Sequence, residues 1–312
     1  MTESEISIPA GRITLQGTLT VGGPRPGPAA LLISGSGPVD RDSNAKRLPI
    51  NVMGQIATHL AAKGITSLRY DKRGAGRSDG DFLSAGFRDN VDDARVALDT
   101  LRAQSEVDPD RVVIIGHSEG ALIASILASD AQLAGAALLA GAATNGNEIL
   151  RWQARQVAAT LPRPVKWLMK LLRQDLVRTQ MKRLVRIESS SEDVIRIQFV
   201  KLNAKWFREF MAFEPVDALR RAAVPMLAIT GTKDIQVNPA DVALMEQAVA
   251  TPFAGHLVDD VTHLLRAEHG AASIRTYKKQ ARGPLDQRVT ELLTDWVTTL
   301  TRTKNGASNG HL

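Results

Sequence analysis

The chain contains no cysteine. Disulfides, thiolate metal sites and a cysteine nucleophile are therefore excluded, although a thiol-free protein is at home in any redox compartment. No apolar run approaches the roughly 20 residues that span a bilayer. The N-terminus, Met1-Thr2-Glu3-Ser4-Glu5, is acidic and no apolar stretch follows it, so a cytoplasmic protein without a signal peptide is expected. Internal repeats and low-complexity tracts are missing as well. Acidic residues are nearly absent from one segment: between Arg151 and Arg186, Asp175 stands alone against ten Lys and Arg, a local charge of +9. The total is +6, so the rest of the chain carries −3. The basicity belongs to one segment, and no nucleic-acid recognition motif accompanies it.

What is present is an ordinary globular composition. The 312 residues are 44% hydrophobic and 23% charged, enough for one large domain with an insertion. Ile6-Ser7-Ile8 and Arg12 to Thr20 alternate apolar and polar residues, which predicts an antiparallel hairpin turned at Pro9-Ala10-Gly11. Short apolar runs at Ala29–Ile33, Ile65–Tyr70, Arg111–Ile115, Ala136–Ala140 and Pro225–Thr230 read as buried strands. A further short strand falls around His256-Leu257-Val258. Helical stretches separate them at Val52–Lys63, Val91–Leu101, Ala121–Ala128 and Pro239–Val249, with another at Leu285–Leu300. This alternation predicts a mostly parallel sheet with helices on both faces. It breaks between residues 145 and 213, which read as almost wholly helical. The expected organisation is an α/β core over 1–144 and 214–300, a helical cap inserted at 145–213, and a polar, disordered tail at 301–312.

Gly116-His117-Ser118-Glu119-Gly120 spells G-x-S-x-G between a strand and a helix, the setting of a nucleophile elbow. A serine hydroxyl needs an adjacent base, usually histidine, and an acid on the other ring nitrogen. The expected chain order is serine, acid, histidine. Thr230-Gly231-Thr232-Lys233-Asp234 puts an aspartate just past a late strand, and Val261-Thr262-His263 puts a histidine just past the last one. Ser118, Asp234 and His263 are therefore the expected triad. His269 is the chief competitor for the base, while His59, His117 and His256 read as structural. Asp217, Asp241, Asp259 and Asp260 are the other acids available. The oxyanion donors expected are the backbone N–H of Glu119 and, from the loop Ser34-Gly35-Ser36-Gly37-Pro38, that of Ser36, with Gly35 as the alternative.

These segments, together with Asp40-Arg41-Asp42 and Arg69-Tyr70-Asp71-Lys72-Arg73-Gly74-Ala75-Gly76-Arg77-Ser78, resemble the α/β-hydrolase superfamily of serine hydrolases, in its bacterial esterase and serine-aminopeptidase-like branch. The resemblance implies an α/β-hydrolase fold and cleavage of carboxylic esters through an acyl-enzyme on Ser118, with no metal or cofactor. An acyl-CoA thioesterase or an aminopeptidase-like amidase would use the same triad, and a non-catalytic ligand-binding hydrolase fold would normally lack one of its members. Ser34 stands where many relatives have histidine. Asp71, Lys72 and Arg73 either bind a substrate carboxylate or fix their loop, and Asp40-Arg41-Asp42 poses the same choice. The Glu119 side chain is left open, facing substrate, water or neither. In the inserted segment, Leu161, Val165, Leu168 and Leu172 recur at helical spacing beside Trp167, with Lys166, Lys170 and Arg173 on other faces. Its apolar face is expected to roof the site, with Trp167 and Leu168 as candidate substrate contacts. Its charges point to acyl-CoA or an anionic membrane as candidate partners.

Overall fold

The computed structural model describes residues 1–23, 25–130, 132–171 and 175–303. The chain opens with β1 (Thr2–Ala10), β2 (Ile13–Val21) and β3 (Gly27–Ile33), followed by a tiny hairpin, β4 (Asn44–Ala45) and β5 (Leu48–Pro49). Next come α1 (Val52–Ala62), β6 (Thr66–Tyr70), α2 (Phe87–Arg102), β7 (Val107–His117), α3 (Glu119–Leu127) and β8 (Gly135–Leu139). The inserted segment holds α4 (Gly146–Thr160), α5 (Arg163–Leu171), α6 (Leu176–Glu188), β9 (Val194–Ile197), β10 (Val200–Asn203) and α7 (Ala204–Met211). The alternation resumes with α8 (Pro215–Arg220), β11 (Met226–Gly231), α9 (Asp241–Ala248) and β12 (Phe253–Val258). It ends with α10 (Tyr277–Gln280) and α11 (Gln287–Thr303).

Eight strands form one sheet in the order β1-β2-β6-β3-β7-β8-β11-β12. The β1–β2 and β2–β6 pairings are antiparallel and the remaining five are parallel. This is an α/β-hydrolase architecture. Side chains along the central strands alternate between two apolar layers, because successive residues of a strand point to opposite faces. Leu31, Ile114 and Leu138 pack with Leu98 of α2 and Ile123 of α3. Leu32, Ile115 and Leu139 pack with Ile56 of α1 and Val297 of α11. Both faces of the sheet are thus covered, and its carboxyl edge is left for the site.

Two expectations are corrected. The first hairpin keeps Pro9 and Ala10 paired with Thr14 and Ile13, so the turn is Gly11-Arg12, with Gly11 left-handed at φ 67°. The inserted segment also contains a β-hairpin, β9–β10, turned at Gln198-Phe199, both left-handed. Val194-Ile195-Arg196-Ile197 carries the β-branched pattern of a strand, but its turn lacks the Asn or Gly that normally advertises such a conformation. Of the expected tail, Thr301–Thr303 extend α11, and 304–312 lie outside the described residues. Among the described residues, no helix is long and apolar enough to cross a membrane.

Candidate active site

The end of β7 and the start of α3 meet at Ser118, whose backbone sits at φ 57°, ψ −117°. This strained conformation holds the side chain out of the turn. A Cβ on Gly116 would strike the Gly120 backbone, and one on Gly120 would strike the Ile33 carbonyl. Only glycine fits either flank, which explains the motif. The Ser118 N–H donates to the Leu139 carbonyl of β8 at 2.9 Å and anchors the turn to the sheet.

Two loops from the same edge complete a chain of hydrogen bonds. His263 Nε2 lies 3.0 Å from Ser118 Oγ, and His263 Nδ1 lies 2.8 Å from Asp234 Oδ2. Asp234 Oδ1 accepts the N–H groups of Gln236 at 2.7 Å and Val237 at 2.9 Å, so both carboxylate oxygens are used. The side chains of Asp234 and His263 are buried. The expected Ser118, Asp234 and His263 are therefore brought together.

The histidine loop is held from below. His117 Nε2–H donates to the His263 carbonyl at 2.8 Å; a carbonyl only accepts, so this nitrogen carries the ring proton. Burial, reinforced by the neighbouring His263, lowers the His117 pKa to about 3, so the ring is neutral near pH 7. Arg266 donates to the carbonyls of Leu264, Gly283 and Ile50. Burial brings its pKa down to about 10. The rivals stand apart: His59 and His269 are exposed, and His256 lies within β12. Among the acids, Asp241 is committed elsewhere. Its Oδ2 accepts the N–H groups of Ala143 and Thr144 and the Thr144 hydroxyl, where the chain leaves β8 for the inserted segment.

The loop after β3 abuts Ser118. A Cβ on Gly35 would lie 3.2 Å from Ser118 Cβ, and Ser36 and Gly37 line the cavity above it. Ser34 shares a 2.9 Å hydrogen bond with Ser43, which knits the loop internally. Glu119 is the first residue of α3, and its N–H is one of the groups a helix N-terminus leaves free for an anion.

The Glu119 side chain is engaged by the protein itself. It is buried and accepts from Lys72 Nζ at 3.1 Å, Asn90 Nδ2 at 2.7 Å and Trp206 Nε1 at 3.2 Å, while Lys72 also donates to the Gly35 carbonyl at 3.2 Å. One carboxylate thus ties the elbow to the Gly35 loop, α2 and α7. The nearby charges are likewise consumed by the scaffold. Arg41 forks onto Asp71, and Arg73 forks onto Asp93. Burial pushes the Asp71 carboxyl up, but Arg41 and two backbone N–H groups outweigh it and hold it below the usual carboxylate range. Asp42 pairs with Arg69, and Asp40 caps the turn that follows it.

A cavity of about 360 Å³ opens over Ser118. Its walls include Leu122 from the core, Ile149 and Leu150 from α4, and Trp206, Phe207 and Phe210 from α7. Trp206 and Phe210 stack at 4.6 Å. Asn203 aligns α7: its side chain caps the helix at Trp206 N–H and donates to the carbonyls of Phe82 and Ala85 on the core. The expected roof is thus displaced. Trp167 does not line the cavity and is 66% exposed on α5. The Leu168 side chain and Leu172 lie outside the described residues. The aromatic residues at 206, 207 and 210 were overlooked, although their spacing clusters them on one side of a helix.

Residues 50–270 match the family model described as serine aminopeptidase, S33, and the chain belongs to that family of α/β hydrolases. Esterase EstD of Thermotoga maritima is 27% identical over 287 residues, 91% of this chain and 65% of the relative. The chain therefore spans just under two thirds of that relative's length. Two solved structures share the fold. Est1E from Butyrivibrio proteoclasticus, with ferulic acid bound, superposes with a TM-score of 0.64 at 16% identity, covering 96% of this chain and 99% of that one. The α/β hydrolase GrgF from Penicillium sp. sh18 gives 0.64 at 16%, covering 97% and 100%.

Proposed function

We propose that the protein is a serine esterase acting through an acyl-enzyme on Ser118. The observation that carries this reading is the hydrogen-bonded line from Asp234 through His263 to Ser118, at 2.8 and 3.0 Å, ending in an apolar cavity. His263 Nε2 accepts the Ser118 proton as the hydroxyl attacks the acyl carbonyl. Asp234 keeps Nδ1 protonated and stabilises the imidazolium. The N–H groups of Glu119 and Ser36 receive the developing oxyanion. His263 then returns the proton to the departing alcohol. Water, activated by the same nitrogen, releases the acid. Residues 145–213 act as a cap on the core formed by 1–144 and 214–300, and contribute the apolar wall that selects the acyl group.

The family description favours one second reading, an aminopeptidase-like amidase. Holding a substrate's α-ammonium calls for a carboxylate in the cavity. Among the described residues, the acidic one in the cavity walls is Glu119, already engaged by Lys72, Asn90 and Trp206. This supports the ester reading, as does the name of the EstD relative. Fluorophosphonate labelling of the wild type beside Ser118→Ala tests the nucleophile. Labelling is expected to vanish in the variant, and kcat on a p-nitrophenyl ester to fall on the order of 10⁶-fold. Equal labelling of both proteins would remove Ser118 from the role. Faster turnover of aminoacyl amides than of matched esters would favour the second reading.

A further inference from the structure

We propose that the outer face of the cap docks on an anionic lipid surface. Eleven large apolar side chains of the described protein are exposed, and seven of them lie between residues 163 and 203. Trp167 is 66% exposed, Leu171 63%, Val185 60% and Phe199 94%. Exposed apolar residues scattered singly are ordinary, whereas a concentration of them marks a contact surface. The same region carries the chain's excess of cations. Arg151, Arg155, Lys166, Arg178, Lys182 and Arg186 are exposed. Among the described residues, none of these six enters an ion pair. On α5, Trp167 and Leu171 are four residues apart and share a face, while Lys166 falls on another. Tryptophan and leucine beside lysine and arginine are the composition of a helix that lies in the headgroup layer.

Charge names the occupant. An anionic leaflet complements this surface, and each Lys or Arg near it strengthens binding roughly fivefold. A second feature favours lipid over a folded partner. Leu176 is exposed, and it also lines a groove between α4 and α6 with Ala154 and Val157. Leu150 and Gln153 are walls of both this groove and the cavity over Ser118. The apolar groove therefore adjoins the cavity over Ser118 across two shared wall residues, a placement that suits an acyl chain drawn from a lipid rather than a folded partner.

Co-sedimentation of the whole protein with vesicles tests this. Vesicles of phosphatidylcholine alone are compared with vesicles containing about 30% phosphatidylglycerol, at about 0.1 M and 0.5 M NaCl. The wild type is expected to bind the anionic vesicles at low salt, to lose them at high salt and to ignore the neutral ones. The double variant Arg178→Glu/Lys182→Glu should bind roughly 25-fold more weakly or worse, with an unchanged melting temperature. Trp167→Ser should also weaken binding without altering the salt dependence. Absence of binding to anionic vesicles at low salt would overturn the proposal. So would equal binding to neutral vesicles, or a concentration-dependent dimer that Trp167→Ser dissolves in a protein that ignores vesicles. None of these readouts depends on Ser118 or on hydrolysis.

Discussion

Polar groups are handled in opposite ways on the floor and on the outer roof of this molecule. Around Ser118 the polar groups are matched: Lys72 pairs with Glu119, Arg41 with Asp71 and Arg73 with Asp93, and Asp234 is hydrogen-bonded to His263. On α4, α5 and α6, Arg151, Arg155, Lys166, Arg178, Lys182 and Arg186 stand in solvent, and Trp167, Leu171 and Val185 are exposed among them. A group whose lone pairs and protons are all assigned cannot reorient cheaply, so the floor is held in one arrangement. A surface of solvated cations on flexible stems can adapt to whatever meets it. The floor suits a reaction that requires atoms within a few tenths of an ångström. The roof suits recognition of a broad chemical class.

The contrast can be broken by experiment. The largest effect is expected at the acid. Asp234→Asn keeps the shape of the loop but favours the wrong tautomer of His263, and kcat should drop roughly 10⁴-fold. An ester assay showing less than a tenfold loss would mean that another carboxylate orients the ring. Next comes the buried pair. Lys72→Met strands Glu119 without its counter-ion, and urea unfolding should report a loss of about 3–5 kcal/mol. The same measurement on Arg178→Glu, exposed on α6, should move by less than about 0.5 kcal/mol. Equal losses at the two positions would erase the distinction between floor and roof.

The last test concerns pH, and its effect grows step by step with acidity. The folded pKa of His117, about 3, lies below its ordinary 6.5. As pH falls below 6.5 the unfolded chain takes up a proton that the folded protein refuses. Stability is therefore lost between about pH 6.5 and pH 3, with this ring contributing a slope of about 1.4 kcal/mol per pH unit. His117→Asn should flatten the wild-type curve in that window. An unchanged slope would show that the ring is protonated in place and that burial does not control it.

Much of the core was legible because its signals are local. The strand at Val112–Ile115, the sharp turn and the helix after it declared the elbow within a dozen residues. The Asp234 and His263 loops could be chosen from the end points of strands. The β9–β10 hairpin was hidden because Gln198 and Phe199 turn without a glycine. The roof was misplaced for a different reason. Trp167 and Trp206 both sit on amphipathic helices, and amphipathicity says that a helix has an apolar face without saying what that face meets. The Glu119 side chain illustrates the same limit. Its three partners come from loops and helices at positions 72, 90 and 206, and no local pattern links them.

By itself the sequence determined the α/β alternation, the elbow serine, the order of acid and histidine behind it, and the charge of residues 151–186. Each follows from near-neighbour sterics, side-chain periodicity or simple counting. Only the tertiary structure decided that His263 stands 3.0 Å from a serine 145 positions earlier. It also decided that α7 supplies the aromatic wall of the cavity, and that Glu119 joins four elements around it. Those outcomes depend on the order of strands in the sheet and on which apolar faces bury one another, and such contacts are set by the packing of the whole chain.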